Sequence, residues 1–134
     1  MGHFFVDCDI EHIRNAKKRA TVPHLLVDTG SEFTWVLADT LRNLGVKVEK
    51  KEVPFLMANG QTITRPMGFA IVTVGEFRTV DEIVFGEPGD LQILGSRTLE
   101  GFGAMVDPRG KRLVASGPVP AASSLLLRKR GTRP

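Results

Sequence analysis

The residues of this chain best suited to acid–base chemistry are Asp28 and the three that come after it, Thr29, Gly30 and Ser31. The apolar residues 25–27 that precede them are typical of a buried strand, and Gly30 allows a sharp turn at the strand end. The sequence therefore predicts that the Asp28 carboxyl lies in a tight, partly dry loop. Because an isolated ionised carboxylate is costly there, it should be hydrogen-bonded, paired or partly protonated, as acid–base carboxylates are.

A second motif, Ile93, Leu94 and Gly95, lies about 65 residues after the acidic tetrapeptide. Together the two motifs resemble the signature of the retropepsin-like (clan AA) aspartic peptidases of the single-domain type, over roughly residues 25–113. The resemblance implies an all-β fold, an acid protease barrel with one or two short helices and a β-hairpin flap. It implies a protease domain over residues 1–116, followed by a basic tail containing Pro, Ala and Ser at residues 117–134.

Hydrolysis in this family needs two facing aspartates, whereas the sequence contains one Asp-Thr-Gly and no internal repeat. The resemblance therefore implies a homodimeric aspartic-type endopeptidase, in which an Asp28 from each subunit activates water. Thr29 would bond across the dimer axis, and the Gly30 amide would bond the carboxylate. The Ser31 hydroxyl would bond the outer carboxylate oxygen, which favours a more acid working range. This mechanism needs no cofactor and no metal.

A β-hairpin is predicted over residues 53–64, because Asn-Gly suits a two-residue turn in which both residues tolerate positive φ. The resemblance identifies this hairpin as the flap that closes over a peptide or protein substrate in extended conformation. An ordinary surface turn is the alternative. The flap and substrate-binding residues are Met57, Ala58, Asn59, Gly60 and Gln61. Apolar residues near Val53, Phe55, Met57 and Ile83 indicate that hydrophobic residues flank the cleaved bond.

The charge distribution bounds the choice of partners. Residues 1–107 carry 11 basic and 15 acidic residues, whereas residues 108–134 carry seven basic residues and no acid. The mildly acidic globular part argues against nucleic acid, and the basic tail is either a solvated end or a contact for an anionic surface. No apolar segment has the length of a membrane span, so we expect a soluble, cytoplasmic protein without a membrane partner.

Individual residues outside the motifs have simpler interpretations. The single cysteine, Cys8, excludes an intramolecular disulfide and is expected to be an inward-facing core thiol. Trp35 is expected in the core. Glu32 either pairs with an arginine or binds a basic substrate residue. The three histidines are too scattered for a recognisable zinc pattern.

The remaining elements are predicted from short apolar runs between turn residues, which indicate an all-β domain. An exposed connection is expected at residues 13–21. Strands are predicted at 4–10, 25–27, 33–36, 53–57, 62–64, 67–74, 77–85, 91–94, 104–106 and 113–115, with short helices at 37–44 and 96–100.

These observations support two functions of different classes. The first is the homodimeric endopeptidase, which the intact acidic loop favours. The second is a catalytically inactive retropepsin-like module that binds peptides or mediates assembly. Nucleic-acid binding through the tail is a third, weaker hypothesis.

Overall fold

The computed structural model of the chain describes residues 3–121, which form mostly β-strands with two short helices. The prediction of an all-β fold with short helices is confirmed. The predicted domain end at residue 116 stays a prediction, and most of the predicted tail lies outside the described residues. The strands are β1 (Phe5–His12), β2 (Asn15–Val27), β3 (Thr34–Leu37), β4 (Lys50–Leu56), β5 (Thr62–Val74), β6 (Phe77–Gly86), β7 (Ile93–Leu94), β8 (Ala104–Asp107) and β9 (Arg112–Ala115), and the helices are α1 (Ala38–Asn43) and α2 (Ser96–Phe102).

Seven strands form one sheet in the order β1-β2-β7-β3-β6-β5-β4, and β8 and β9 form a separate hairpin. β1 also pairs with β5, so six of the seven strands form a closed circuit of hydrogen-bonded neighbours. β4 stands outside that circuit at the end of the sheet order. The β2–β7 and β3–β6 pairs are parallel, and the other pairs are antiparallel.

The core consists of one large and one small apolar cluster. The large cluster fills the interior of the strand circuit and includes the fully buried Ile10, Leu25 and Phe85, with Leu41 from α1. The small cluster joins Trp35, Met67 and Val84, and the partly buried Phe33 and Phe55 pack on it. The expectation that Trp35 belongs to the core is therefore confirmed.

Cys8 lies inside the large cluster, as predicted, and its side chain is fully buried. Burial raises the pKa of the Cys8 thiol to about 12. The group therefore stays a neutral thiol near neutral pH and serves as a small apolar core residue.

The exposed connection predicted at residues 13–21 is wrong for the backbone, because β2 begins at Asn15 and pairs with β1 through this segment. Its side chains are mostly exposed, as the charges suggested. A strand with a solvated face carries charged residues without losing its backbone hydrogen bonds, and that is why the charge run was misleading.

The two strands predicted at 62–64 and 67–74 are one continuous strand, β5. Pro66 lies within it, where the pairing between β4 and β5 shifts register. A proline is tolerated at such an irregularity because the missing N–H is not needed by the ladder. The strand predicted at 91–94 is limited to Ile93–Leu94.

Candidate active site

The two sequence motifs lie side by side because β2 and β7 pair in parallel. Leu26 is opposite Ile93 and Val27 is opposite Leu94. Immediately after β2 ends, the Asp28 amide donates a hydrogen bond of 3.1 Å to the Leu94 carbonyl. The acid therefore leaves the sheet at a position fixed by the second motif.

The Asp28 carboxyl is half-buried and belongs to a tight loop. The Gly30 amide donates to Oδ1 of Asp28 at 2.9 Å, which is the contact predicted for Gly30. A Cβ added at position 30 would lie 3.2 Å from that same oxygen, so glycine leaves room for the bond. Thr29 is exposed beside the carboxyl, and its bond to a second subunit stays a prediction.

The contact predicted for Ser31 is different in the structure. Its hydroxyl donates to the Phe33 carbonyl at 3.1 Å and not to the outer oxygen of Asp28. The backbone of the loop turns so that this carbonyl is the acceptor within reach of the hydroxyl. Ser31 therefore gives no reason to expect a more acid working range.

The helix α2 fixes the acidic loop from behind. The Ser96 amide donates to the Ser31 carbonyl at 2.8 Å, and the Arg97 amide donates to the Glu32 carbonyl at 3.0 Å. These are amides of the first helical turn, which have no partner inside the helix. Gly95 is buried directly before them, and a Cβ there would collide with the Phe33 carbonyl.

A buried chain of hydroxyl groups supports the same junction. The Gly95 amide donates to Oγ1 of Thr34 at 2.9 Å, and Oγ1 of Thr34 lies 2.6 Å from Oγ1 of Thr98. The Thr98 hydroxyl donates to Oδ2 of Asp81 at 2.8 Å, so its proton is engaged and Thr34 must be the donor between the two. Both threonines are fully buried. Sequence analysis missed this network, although Thr34 is a polar residue in the otherwise apolar strand β3.

The predicted flap is the hairpin of β4 and β5. The Met57 amide donates to the Gln61 carbonyl at 2.8 Å, and the Gly60 amide donates to the Met57 carbonyl at 2.9 Å. The turn therefore has three residues, Ala58, Asn59 and Gly60, and only Gly60 has a positive φ, of 86°. The predicted two-residue turn is wrong because Oδ1 of Asn59 accepts the Gln61 amide at 2.9 Å, which stabilises this alternative turn.

An open groove of about 690 Å³ lies between the acidic loop, β4 and the loop after β6. Asp28, Gly30 and Ser31 line this groove at its edge. Of the second motif, Ile93 lines the groove, whereas Leu94 and Gly95 are buried in the protein and do not line it. Of the flap residues, Met57 and Ala58 line the groove, whereas Asn59, Gly60 and Gln61 are exposed at the tip and are not among its lining residues. The apolar lining includes Phe33, Trp35, Val53, Phe55, Met57 and Leu91.

The aromatic residues form the floor of this groove. The ring of Phe55 lies 5.0 Å from that of Trp35 and 6.0 Å from that of Phe33. The predicted contributions of Val53, Phe55 and Met57 to an apolar cleft agree with this lining. That of Ile83 is wrong, because Ile83 faces the large core cluster and is fully buried.

Glu32 pairs with an arginine, as one of its two interpretations predicted. Its Oε2 lies 3.5 Å from Nη1 of Arg97, and both side chains are at least half exposed. The Arg97 guanidinium also lies 5.2 Å from the centre of the Phe33 ring. An exposed single contact of this kind contributes little to stability.

A stronger ion pair, which sequence analysis did not predict, joins Arg65 of β5 to Asp90 after β6. Nε and Nη2 of Arg65 donate to Oδ2 and Oδ1 of Asp90 at 2.8 and 3.1 Å. The Glu87 amide also donates to Oδ2 at 2.8 Å. The hydrogen bonds from Arg65 are the main reason that the pKa of Asp90 is lowered, and they raise the pKa of Arg65.

Residues 3–121 contain no group of three or more His, Cys, Asp or Glu side chains arranged to hold a metal ion. In the same described part of the chain, no helix combines the length and the apolar character needed to cross a bilayer.

Comparison with models of known protein families gives a match. The model of a family described as "Aspartyl protease" matches residues 15–98, which include the acidic loop, the flap hairpin and the second motif. No curated protein matches the chain.

The buried hydroxyl network predicts a stability effect. Thr34→Val keeps the side-chain volume but leaves the Gly95 amide without its acceptor. We expect a loss of about 1–3 kcal/mol in the free energy of unfolding, measured by urea denaturation. Thr64→Val, on the exposed face of the flap strand, is the matched control and should change it by less than about 0.5 kcal/mol. Equal effects of the two substitutions would show that the network does not support the site.

The Arg65–Asp90 pair predicts how stability depends on pH. The pKa of Asp90 is lower in the fold than its unfolded value of about 3.9, so the pair stabilises the fold fully above that value. The contribution is lost as the pH falls through the folded pKa. The difference in unfolding free energy between wild type and Asp90→Asn should stay constant from about pH 7 to pH 5 and shrink below about pH 4. Glu76→Gln, in the exposed β5–β6 turn, serves as control, and a difference that grew on acidification would contradict this assignment.

Proposed function

The chain belongs to the aspartyl protease family, and we propose that it is an aspartic endopeptidase whose active site contains Asp28 from each of two subunits. The observation that carries the proposal is the position of the Asp28 carboxyl. It is held by the Gly30 amide at 2.9 Å, at the edge of an apolar groove of about 690 Å³. A carboxyl that can take a proton from water and a cleft that can hold an extended chain are two of the parts that an aspartic peptidase site requires.

Two subunits are needed because one carboxyl cannot act as base and as acid at the same time. The chain has a single Asp-Thr-Gly, so a twofold axis near Asp28 would supply the second carboxyl. Two carboxyls about 3 Å apart share one proton, because both cannot ionise readily. Thr29 is exposed next to Asp28 and would bond to the partner loop across the axis. We further propose that the closed strand circuit is the barrel of the retropepsin-like type.

The shared proton determines the course of the reaction. The ionised Asp28 takes a proton from a water molecule between the two carboxyls, and the water oxygen attacks the peptide carbonyl carbon. The protonated Asp28 of the other subunit donates a hydrogen bond to the developing oxyanion. As the C–N bond breaks, a proton passes to the leaving nitrogen, which gives a free carboxyl and a free amine.

The groove supports an extended peptide with apolar side chains as substrate. β4 is the last strand of the sheet order, so its outer edge is free of neighbours among the described strands. A peptide can pair with such an edge through its backbone, while alternate side chains enter the groove. Leu56 and Leu91 line the groove with 77% and 66% of their surface exposed, which suits a ligand that covers them.

Replacement of the acid tests the chemistry. Asp28→Asn should reduce cleavage of an unfolded protein at mildly acid pH by at least about a thousandfold, because the amide cannot take a proton from water. Asp39→Asn, on the exposed face of α1, is the control and should cleave normally. Equal cleavage by Asp28→Asn would refute the proposed role of Asp28. A wild type that binds peptides without cleaving them would identify the inactive peptide-binding module instead.

Mixing subunits tests the dimer. When roughly a threefold excess of Asp28→Asn protein exchanges subunits with wild type, about one quarter of the wild-type subunits remain paired with each other. Activity per wild-type subunit should fall to about that fraction. Asp39→Asn protein added in the same excess should not inhibit. Undiminished activity, together with a monomeric mass by light scattering, would refute the two-subunit site.

A further inference from the structure

We propose that the Arg65–Asp90 pair is a positioning clamp that joins the two walls of the substrate groove and thereby favours large apolar side chains at its outer end. The inference rests on the proposed function, because it assigns the pair a task in peptide binding. Neither residue belongs to the two sequence motifs, and neither contacts Asp28 in the hydrogen bonds of the acidic loop.

The clamp connects two elements that both contribute to the groove. Arg65 is on β5 and pairs in register with Val53 on β4, which lines one wall. Asp90 comes after β6 and lines the groove with Gly89 and Leu91. The Arg65 guanidinium therefore joins the hairpin to this loop, mainly through Asp90 and more weakly through the exposed Glu87, whose Oε2 lies 3.6 Å from Nη1.

The contact has the geometry of a fixed pair. Both carboxylate oxygens of Asp90 are occupied by Arg65 nitrogens, and Nη1 of Arg65 donates to the Thr64 carbonyl at 2.8 Å. Only 12% of the Arg65 side chain and 18% of the Asp90 side chain are exposed. A bidentate, mostly buried pair holds its partners in one orientation, unlike the exposed Glu32–Arg97 contact at 3.5 Å.

The loop that the clamp holds is a tight turn. It turns through the bond from the Asp90 amide to the Glu87 carbonyl at 2.9 Å, with Gly89 at a φ of +97°. Leu91 comes directly after Asp90 and lines the groove, as Leu56 of β4 does. We infer that the clamp keeps these two leucines at the spacing that encloses a large apolar side chain.

The test measures peptide binding, so that it does not depend on catalysis. The protein carries Asp28→Asn, and the ligands are two fluorescent peptides that are identical except for Phe or Ala at one central position. Arg65→Met removes the guanidinium but keeps most of the stem, and Asp90→Asn removes the charge of its partner. Arg78→Met is the matched control, because it breaks an ion pair with Glu11 at 3.3 Å that does not line the groove.

We expect Arg65→Met and Asp90→Asn each to weaken binding of the Phe peptide about tenfold and that of the Ala peptide less than about twofold. Arg78→Met should leave the ratio of the two affinities unchanged, even where it lowers the melting temperature. The double variant Arg65→Met/Asp90→Asn should lose no more than either single variant, because both remove the same interaction. Arg65→Lys, which keeps the charge without the fork, should give an intermediate ratio and serves if Arg65→Met fails to fold.

Three outcomes would contradict the proposal that this pair acts as a clamp. They are an unchanged affinity ratio in the Arg65 and Asp90 variants, an equal loss for both peptides, and no binding of either peptide to the Asp28→Asn protein. Binding with the expected ratio, in a protein whose wild type cleaves nothing, would refute the endopeptidase and leave the clamp standing.

Discussion

The position of Asp28 depends on a strand of only two residues. β7 lies between β2 and β3, where Ile93 pairs with Leu26 on one side and with Trp35 on the other. This insertion brings two motifs that are distant in sequence into hydrogen-bonding contact, through the Asp28 amide and the Leu94 carbonyl. Since β7 has so little ladder of its own, its position depends on Gly95, on the buried threonines and on the first turn of α2.

The groove and the core are parts of one packing arrangement. Trp35 is 6% exposed and belongs to the small apolar cluster, yet it also lines the groove. The same cluster supports Phe55 on β4, so this side of the groove rests directly on buried side chains. A change in that cluster would therefore alter both the stability of the fold and the shape of the cleft.

Elements that form within short stretches of the sequence could be predicted, whereas contacts between residues that are distant in the sequence were missed. The acidic strand, both helices and the β4–β5 hairpin are predictable from apolar periodicity and turn residues within short windows. The strand at residues 15–21 was missed because its charges reflect a solvated face, while its backbone partner is β1. The group that accepts the hydrogen bond from the Ser31 hydroxyl is set by the backbone conformation of residues 31–33, which the residue types alone do not determine. The Arg65–Asp90 and Thr34–Thr98–Asp81 contacts depend on the three-dimensional fold, so neither could be inferred from spacing alone.

The outer edge of β4, which no strand within residues 3–121 covers, has a consequence for self-association. An unpaired strand edge that is open to a peptide is equally open to a strand of a neighbouring molecule, which is a route to aggregation. Lys50, Lys51 and Glu52 place charges at one end of this edge, and Pro54 has no backbone N–H to donate. These residue types discourage continuous sheet extension between molecules, while a short segment still has room to pair. If the edge binds a peptide as proposed, the same residues would limit fibril growth from it.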